Sequence, residues 1–184
     1  MTRSAFKGVN NLLSLGLPTA GAAPTATYTA GTTIGGLQVM TIANEPVTML
    51  YVPSARTSDL HKTKSSERIK FLGGFETGDT FEIDEAIMGS LDVLLCRNTA
   101  NEAYYDPAID VLMQASITSN YNLYLKMERY VGFDTVLGKH IYHVKSATIK
   151  VRSDNNTVNA ETKAVQQQFT LEGSGEWIEG YVAK

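Results

Sequence analysis

The sequence predicts a mainly β protein, a β-sandwich or partial barrel with one packed α-helix. Three observations carry this. The last third of the chain holds three runs in which apolar residues recur at every second position between short polar turns, the pattern of an antiparallel meander. Charged residues are 19% of the chain, below the usual quarter, while Thr, Ser, Asn and Gly are plentiful, a balance common in β-rich assembly proteins. One longer segment, residues 85–97, carries its apolar residues at helical spacing instead. With 184 residues, 43% of them hydrophobic, the chain can bury one sizeable core, and one domain is expected.

Residues 1–33 are rich in Thr, Ala and Gly, with Pro18 and Pro24 and little periodicity, so they are expected to form a flexible N-terminal arm with no core of its own. A secretory signal is the rival reading, because Arg3 and Lys7 precede an apolar patch and Ala20-Gly21-Ala22-Ala23 looks like a cleavage site. Asn10, Asn11, Ser14 and Gly16 interrupt that patch, which makes a poor signal core. No run approaches the length of a membrane span.

The β domain is expected over residues 34–184. Residues 37–42 and 47–52 read as short strands joined as a hairpin around Ala43-Asn44-Glu45-Pro46, with Pro53 ending the second. Residues 54–66 read as a polar, solvated loop carrying Arg56, His61, Lys62 and Lys64, with Arg68 and Lys70 just beyond. Residues 69–74 read as a short strand with a bend at Gly73-Gly74, and residues 80–83 look extended. Asp84 then offers an N-cap for a helix over about residues 85–97. Ile87, Met88, Leu91, Leu94 and Leu95 make its stripe, with acids at its start and Arg97 near its end. Gly89 inside it costs about 1 kcal/mol relative to Ala. A second, shorter helix is expected after Asp106-Pro107, with Ile109, Leu112 and Met113 on one side.

In the meander, Tyr121, Leu123, Leu125 and Met127 share one face of the first run, and Asn122, Lys126 and Glu128 the other, which would meet water or a solvated channel. The second run, residues 140–152, starts with Tyr142 and Val144 in one phase and ends with Ala147, Ile149 and Val151 in the other, so a β-bulge is expected near Lys145-Ser146. Ser153-Asp154-Asn155-Asn156 has turn chemistry. The third run, residues 164–171, turns Val165, Phe169 and Leu171 one way and Gln166, Gln168 and Thr170 the other.

The sequence carries no pattern of a catalytic, metal or cofactor site. His140 and His143, three apart in a strand, point to opposite faces and could not grip one ion. Glu82, Asp84 and Glu85 are explained as cap and first-turn residues that complement a helix dipole. Gly173-Ser174-Gly175 lacks both the nucleophile-elbow pattern and the lysine of a phosphate loop, and its glycines are expected to end a strand. Cys96 reads as a buried, inert thiol on the helix face. Tyr104, Tyr105, Tyr121, Tyr124, Tyr130 and Tyr142 suit packing between strands or subunits. A formal net charge of −3 offers no basic face for holding nucleic acid.

The closing segment, residues 168–182, runs a final strand into Thr170-Leu171-Glu172-Gly173-Ser174-Gly175-Glu176 just before the last residues. This resembles the ending of tail tube proteins of long-tailed bacteriophages, and the order of features over about residues 34–180 is similar to that family's layout. The resemblance implies rings, usually hexameric, in which the partial barrel of each subunit is completed into one continuous β-barrel around a channel for DNA. It further implies that Arg56, His61, Lys62, Lys64 and Arg68 contact the next ring and meet acids such as Asp79, Glu82, Asp84 and Glu85. Gln166, Gln168 and Thr170 would face the lumen. The implied partners are copies of the chain itself, a tape measure, a terminator and, in a contractile tail, a sheath, with DNA only in transit and no membrane. The implied location is the virion tail, assembled in the host cytoplasm. Rival readings are an inner tube of a contractile tail or injection system, a capsid decoration or tail-terminator protein, and a carbohydrate-binding β-sandwich module using the tyrosines.

Overall fold

The computed structural model describes residues 11–18, 22–34, 37–53, 55–68, 80–95, 106–118, 121–158 and 165–184. In chain order its elements are β1 (Asn11–Gly16), β2 (Thr25–Ile34), β3 (Leu37–Ala43), β4 (Met49–Tyr51), β5 (Ala55–Arg68), β6 (Thr80–Leu95), α1 (Pro107–Ile117), β7 (Asn122–Asp134), β8 (Lys139–Val158) and β9 (Val165–Ala183). The protein is mainly β, a sheet curled into a half-barrel with one helix.

The sheet runs β2-β3-β9-β8-β7-β1-β4, and the β5–β6 hairpin joins it through β6. The alternating runs of the last third are its centre, as the sequence predicts: β7, β8 and β9 pair antiparallel in succession. β9 is the hub. One edge pairs with β8, while the other is shared by β6, from Val165 to Glu172, and by β3, which runs parallel to it with Val39 beside Tyr181.

One face of this sheet holds the main core. Leu13 and Leu15 of β1, Leu91 and Val93 of β6, Leu123 and Leu125 of β7, Ile149 of β8 and Phe169 and Leu171 of β9 are buried there. Ala108, Ile109, Leu112 and Ala115 of α1 pack with them. α1 begins where its cap predicts, the Asp106 carboxylate accepting from the Ala108 amide at 3.0 Å with Pro107 opening the helix. A second, smaller core of Met40, Val144 and Ile178 forms under the β2–β3 hairpin.

Val144 and Ala147 differ by an odd number of positions along a regular stretch, since Lys145, Ser146 and Ala147 pair in unbroken succession with Glu179, Ile178 and Trp177. The two cores therefore lie on opposite faces of β8. The phase change expected as a bulge at Lys145-Ser146 is the point where the strand stops covering one core and starts covering the other. The irregularities fall later, between Ala147 and Ile149 and between Val151 and Ser153.

At the first of these, Ser174, Gly175 and Glu176 of β9 stand opposite Thr148 alone, because Ala147 pairs with Trp177 and Ile149 with Gly173. Gly173-Ser174-Gly175 thus lies inside β9 and does not end a strand. Glycine is required because a Cβ on Gly173 would fall on the Ile87 side chain, and one on Gly175 would approach the Thr148 Cβ at 3.0 Å. Gly173→Ala is expected to cost about 1–3 kcal/mol through overpacking, lowering Tm by roughly 2–12 °C in a chain of this size. Thermal unfolding followed by circular dichroism measures this, and an unchanged Tm would refute the close-approach argument.

Several sequence expectations are corrected. In place of the helix expected over residues 85–97, residues 85–95 are strand: β6 continues to Leu95, hydrogen-bonded to β5 on one side and β9 on the other. The stripe misleads because residues four apart share a face in both geometries, so Ile87, Leu91 and Leu95 fit either period. Met88 and Leu94, the members of the stripe that fit only a helix, fall on the other face, where Met88 is exposed. The polar loop at residues 54–66 is β5, a long edge strand. Part of the N-terminal arm is also ordered, because β1 contributes Leu13 and Leu15 to the core and β2 pairs with β3. β4 does not form a hairpin with β3; it pairs with β1. The backbone of Ser153-Asp154-Asn155-Asn156 continues β8 in place of a turn. The strand expected at residues 69–74, with Cys96, Arg97, Tyr104 and Tyr105, lies outside the described residues.

Candidate functional site

β5 and β6 bring the expected charged residues together within one subunit. Lys62 and Lys64 both pair with Glu85 across the hairpin, the Lys64 contact at 3.2 Å, and His61 Nδ1 lies 2.8 Å from the Asp59 carboxylate. Hydrogen bonds from Lys62 and then Lys64 hold the Glu85 carboxyl below its usual range. Within the single chain Glu85 thus already has two cationic partners. Exposed pairs of this kind are weak, because both charges stay solvated and screened. Arg56 is exposed and has no ion pair among the described residues. The backbones of Glu82 and Asp84 pair with Ser66 and Ser65, and that of Arg68 with Thr80. Asp79 lies outside the described residues.

Gln166, Gln168 and Thr170 stand on the sheet face opposite the main core, because Gln167, Phe169 and Leu171 between them are buried. Across β6 they face Leu94, Asp92 and Ser90. Lys150 and the Arg152–Glu172 ion pair extend the same polar face.

A buried polar chain on β7 was hidden from sequence reasoning. Lys126 and Glu128 lie on the face expected to meet water, yet they are only 7% and 8% exposed. The β3–β4 connection and Lys184 close over them. Lys126 Nζ lies 2.7 Å from Glu45 and 3.1 Å from Glu128, and Lys184 Nζ binds Glu128 at 2.6 Å. Tyr124 donates its hydroxyl proton toward Glu45 at 3.2 Å and shares a 2.9 Å hydrogen bond with Ser146. Burial, followed by the neighbouring Glu45 charge, pushes the Tyr124 hydroxyl above its usual range, so it stays a neutral donor. Burial would raise Glu128, but the bonds and charges of Lys184 and Lys126 outweigh it and hold the carboxyl low. The backbone reaches this arrangement through Asn44, whose φ of +57° is tolerated by Asn more readily than by most side chains. The available signal was Asn44-Glu45-Pro46 combined with Lys126 and Glu128 two apart on one strand face.

The histidines go to separate surroundings. His140 stacks between Tyr130 and Phe133, while His143 lies beside Tyr181 and 3.3 Å from Glu179. Burial lowers the His143 imidazole despite that carboxylate. Among the described residues no group of three His, Cys, Asp or Glu side chains converges as a metal site would require. No described helix is long and apolar enough to cross a membrane. Tyr130 and Tyr142 pack edge to face across β7 and β8, the interstrand use of tyrosine expected for them.

The described residues thus form a half-barrel sheet with open margins and one polar face. No family model matches this chain, and no curated protein sequence matches it. Among solved structures, the SPP1 tail tube determined by solid-state NMR and cryo-EM superposes with a TM-score of 0.57 at 8% identity, covering 96% of this chain and 79% of that chain. The chain therefore has the fold of a phage tail tube protein. Two gene transfer agent structures also align: the native virion, with a TM-score of 0.45, 7% identity and coverage of 95% and 98%, and the empty-particle tail refined with C6 symmetry, with 0.47, 9% and coverage of 95% and 98%.

Proposed function

We propose that this chain is the structural, non-enzymatic subunit of a phage tail tube, closing with copies of itself into hexameric rings that stack around a channel for DNA. The observation that carries the reading is the open half-barrel. β2 and β4 end the sheet, and β5 pairs only with β6, so three strands have an outer edge without a backbone partner among the described residues. Such edges invite pairing with another chain, and a closed ring leaves none exposed. Gln166, Gln168 and Thr170 would then line the lumen. With a chain charge of −3, such a surface avoids arresting the passing phosphates.

Arg56, His61, Lys62, Lys64 and Arg68 on the β5–β6 hairpin would meet the next ring, with Asp79, Glu82, Asp84 and Glu85 as acidic partners in register. Tape measure, terminator and, in a contractile tail, sheath proteins complete the set of partners, in a virion tail assembled in the host cytoplasm. Negative-stain microscopy of the purified protein tests the reading. Hollow rings or cylinders are expected, and a dispersed monomer at high concentration contradicts it.

A further inference from the structure

The tip of the β7–β8 hairpin carries apolar side chains that its own chain leaves uncovered. Phe133 is 52% exposed, Val136 92% and Leu137 45%. Single exposed apolar residues are ordinary, but three on one turn make a patch. The turn is fixed: the Asp134 carboxylate accepts from the Val136 and Leu137 amides at 2.8 and 3.0 Å, and Gly138 closes it at a φ of +63°. His140 packs between Phe133 and Tyr130, with ring centroids 5.1 and 5.7 Å away, and stiffens the base.

A groove of about 900 Å³ opens between β1, β4 and β5 on one side and the β7–β8 ladder on the other. Leu12, Leu13, Val52, Leu60 and Met127 supply its apolar lining, and Arg56, Arg129 and Lys145 its cations. Its acids, Asp59 and Glu128, are already paired, the first with His61 and the second with Lys126 and Lys184. Lys145 is engaged by Glu179 at 3.6 Å, whereas Arg56 and Arg129 have no ion pair among the described residues.

We propose that the hairpin tip of one copy seats in this groove of the next. Val136 and Leu137 enter the apolar lining, and Asp134 turns its remaining acceptor capacity toward Arg129, with Arg56 at the groove's rim adding to the positive charge. The acid at the tip matches the unpaired cations of the groove, and the apolar side chains match its floor. A copy cannot fill its own groove with its own tip. Arg129 and Val136 are seven residues apart along an extended hairpin, a separation of roughly 20 Å at about 3.3 Å per residue. Tip and groove are different surfaces, so the contact is head to tail and repeats by rotation around a ring. The contact deepens the ring reading above and rests on it.

The test uses the full chain with Cys96→Ser, carrying Val136→Cys in one preparation and Ser58→Cys, an exposed groove residue, in the other. Mixing and mild oxidation is expected to give a disulfide that requires both preparations. Separately, Val136→Asp is expected to raise the concentration needed for assembly at least about tenfold, with unchanged circular dichroism and melting because Val136 is exposed. Rings that form without the mixed disulfide, and equally with Val136→Asp, overturn the contact and leave the ring reading standing. The mixed disulfide in pairs that never become rings supports the contact and removes the ring reading. A disulfide between two Val136→Cys chains alone overturns it in favour of a tip-to-tip contact, and neither disulfide nor assembly overturns both.

Discussion

Phe169→Ala is expected to destabilise the protein by about 3–5 kcal/mol. Phe169 is fully buried on β9, opposite Leu91 of β6 on one side and Asp154 of β8 on the other. The truncation removes the transfer free energy of the ring and leaves a cavity that three hydrogen-bonded strands cannot collapse to fill. At roughly 2–4 °C per kcal/mol for a chain of this length, Tm should fall by about 6–20 °C. Gln168→Ala, one residue away on the exposed face, is the control and should stay within about 0.5 kcal/mol. Equal losses for the two variants in thermal unfolding would refute the assignment of the sheet faces.

Lys126→Met should cost a comparable amount, about 3–5 kcal/mol, the range for removing one partner of a buried ion pair. The side chains of Lys126 and Glu128 are each 9% exposed, and Lys126 is the cation between Glu45 and Glu128. Without it, two carboxylates share a site with only Lys184 to offset them. The variant should also show a different response to acid. Glu128 is held below its ordinary value in the native protein, so its contribution is present above the unfolded Glu value, near pH 4.3, and is lost as pH falls through the folded value. The variant lacks much of this contribution at neutral pH, so the gap between the two proteins should narrow on acidification below about pH 4–5. Urea unfolding at pH 7 and pH 4 measures both quantities. A gap that stays constant with pH would show that Lys126 acts through packing of its stem alone.

Legibility in the sequence followed how local each signal is. β7 was readable because Leu123 and Leu125 alternate with polar residues, and α1 because Asp106-Pro107 sets its start within two positions. Gln166, Gln168 and Thr170 were placed together on a polar face for the same reason, since alternation along a single strand needs no knowledge of its neighbours. β6 was unreadable: the stripe from Ile87 to Leu95 suits two periods, and its hydrogen bonds go to Thr57–Arg68 and to Val165–Glu172, partners far away along the chain. β5 failed for a related reason, because an edge strand of mixed polar residues has the composition of a loop until a partner strand fixes it.

The sequence alone determined that this is a β protein with a helix starting at Asp106, that β9 turns Gln166 and Gln168 away from the core, and that its ending resembles that of tail tube proteins. Each of these rests on side-chain type and on spacing within one segment. Only the tertiary structure decided that residues 80–95 are a strand, that β1 belongs to the core, and that Lys126 and Glu128 are buried. Those outcomes depend on what covers or pairs with a segment. Glu45 and Lys184 reach Lys126 and Glu128 only after the β3–β4 connection and the end of β9 have closed over β7, and no period along β7 encodes that closure.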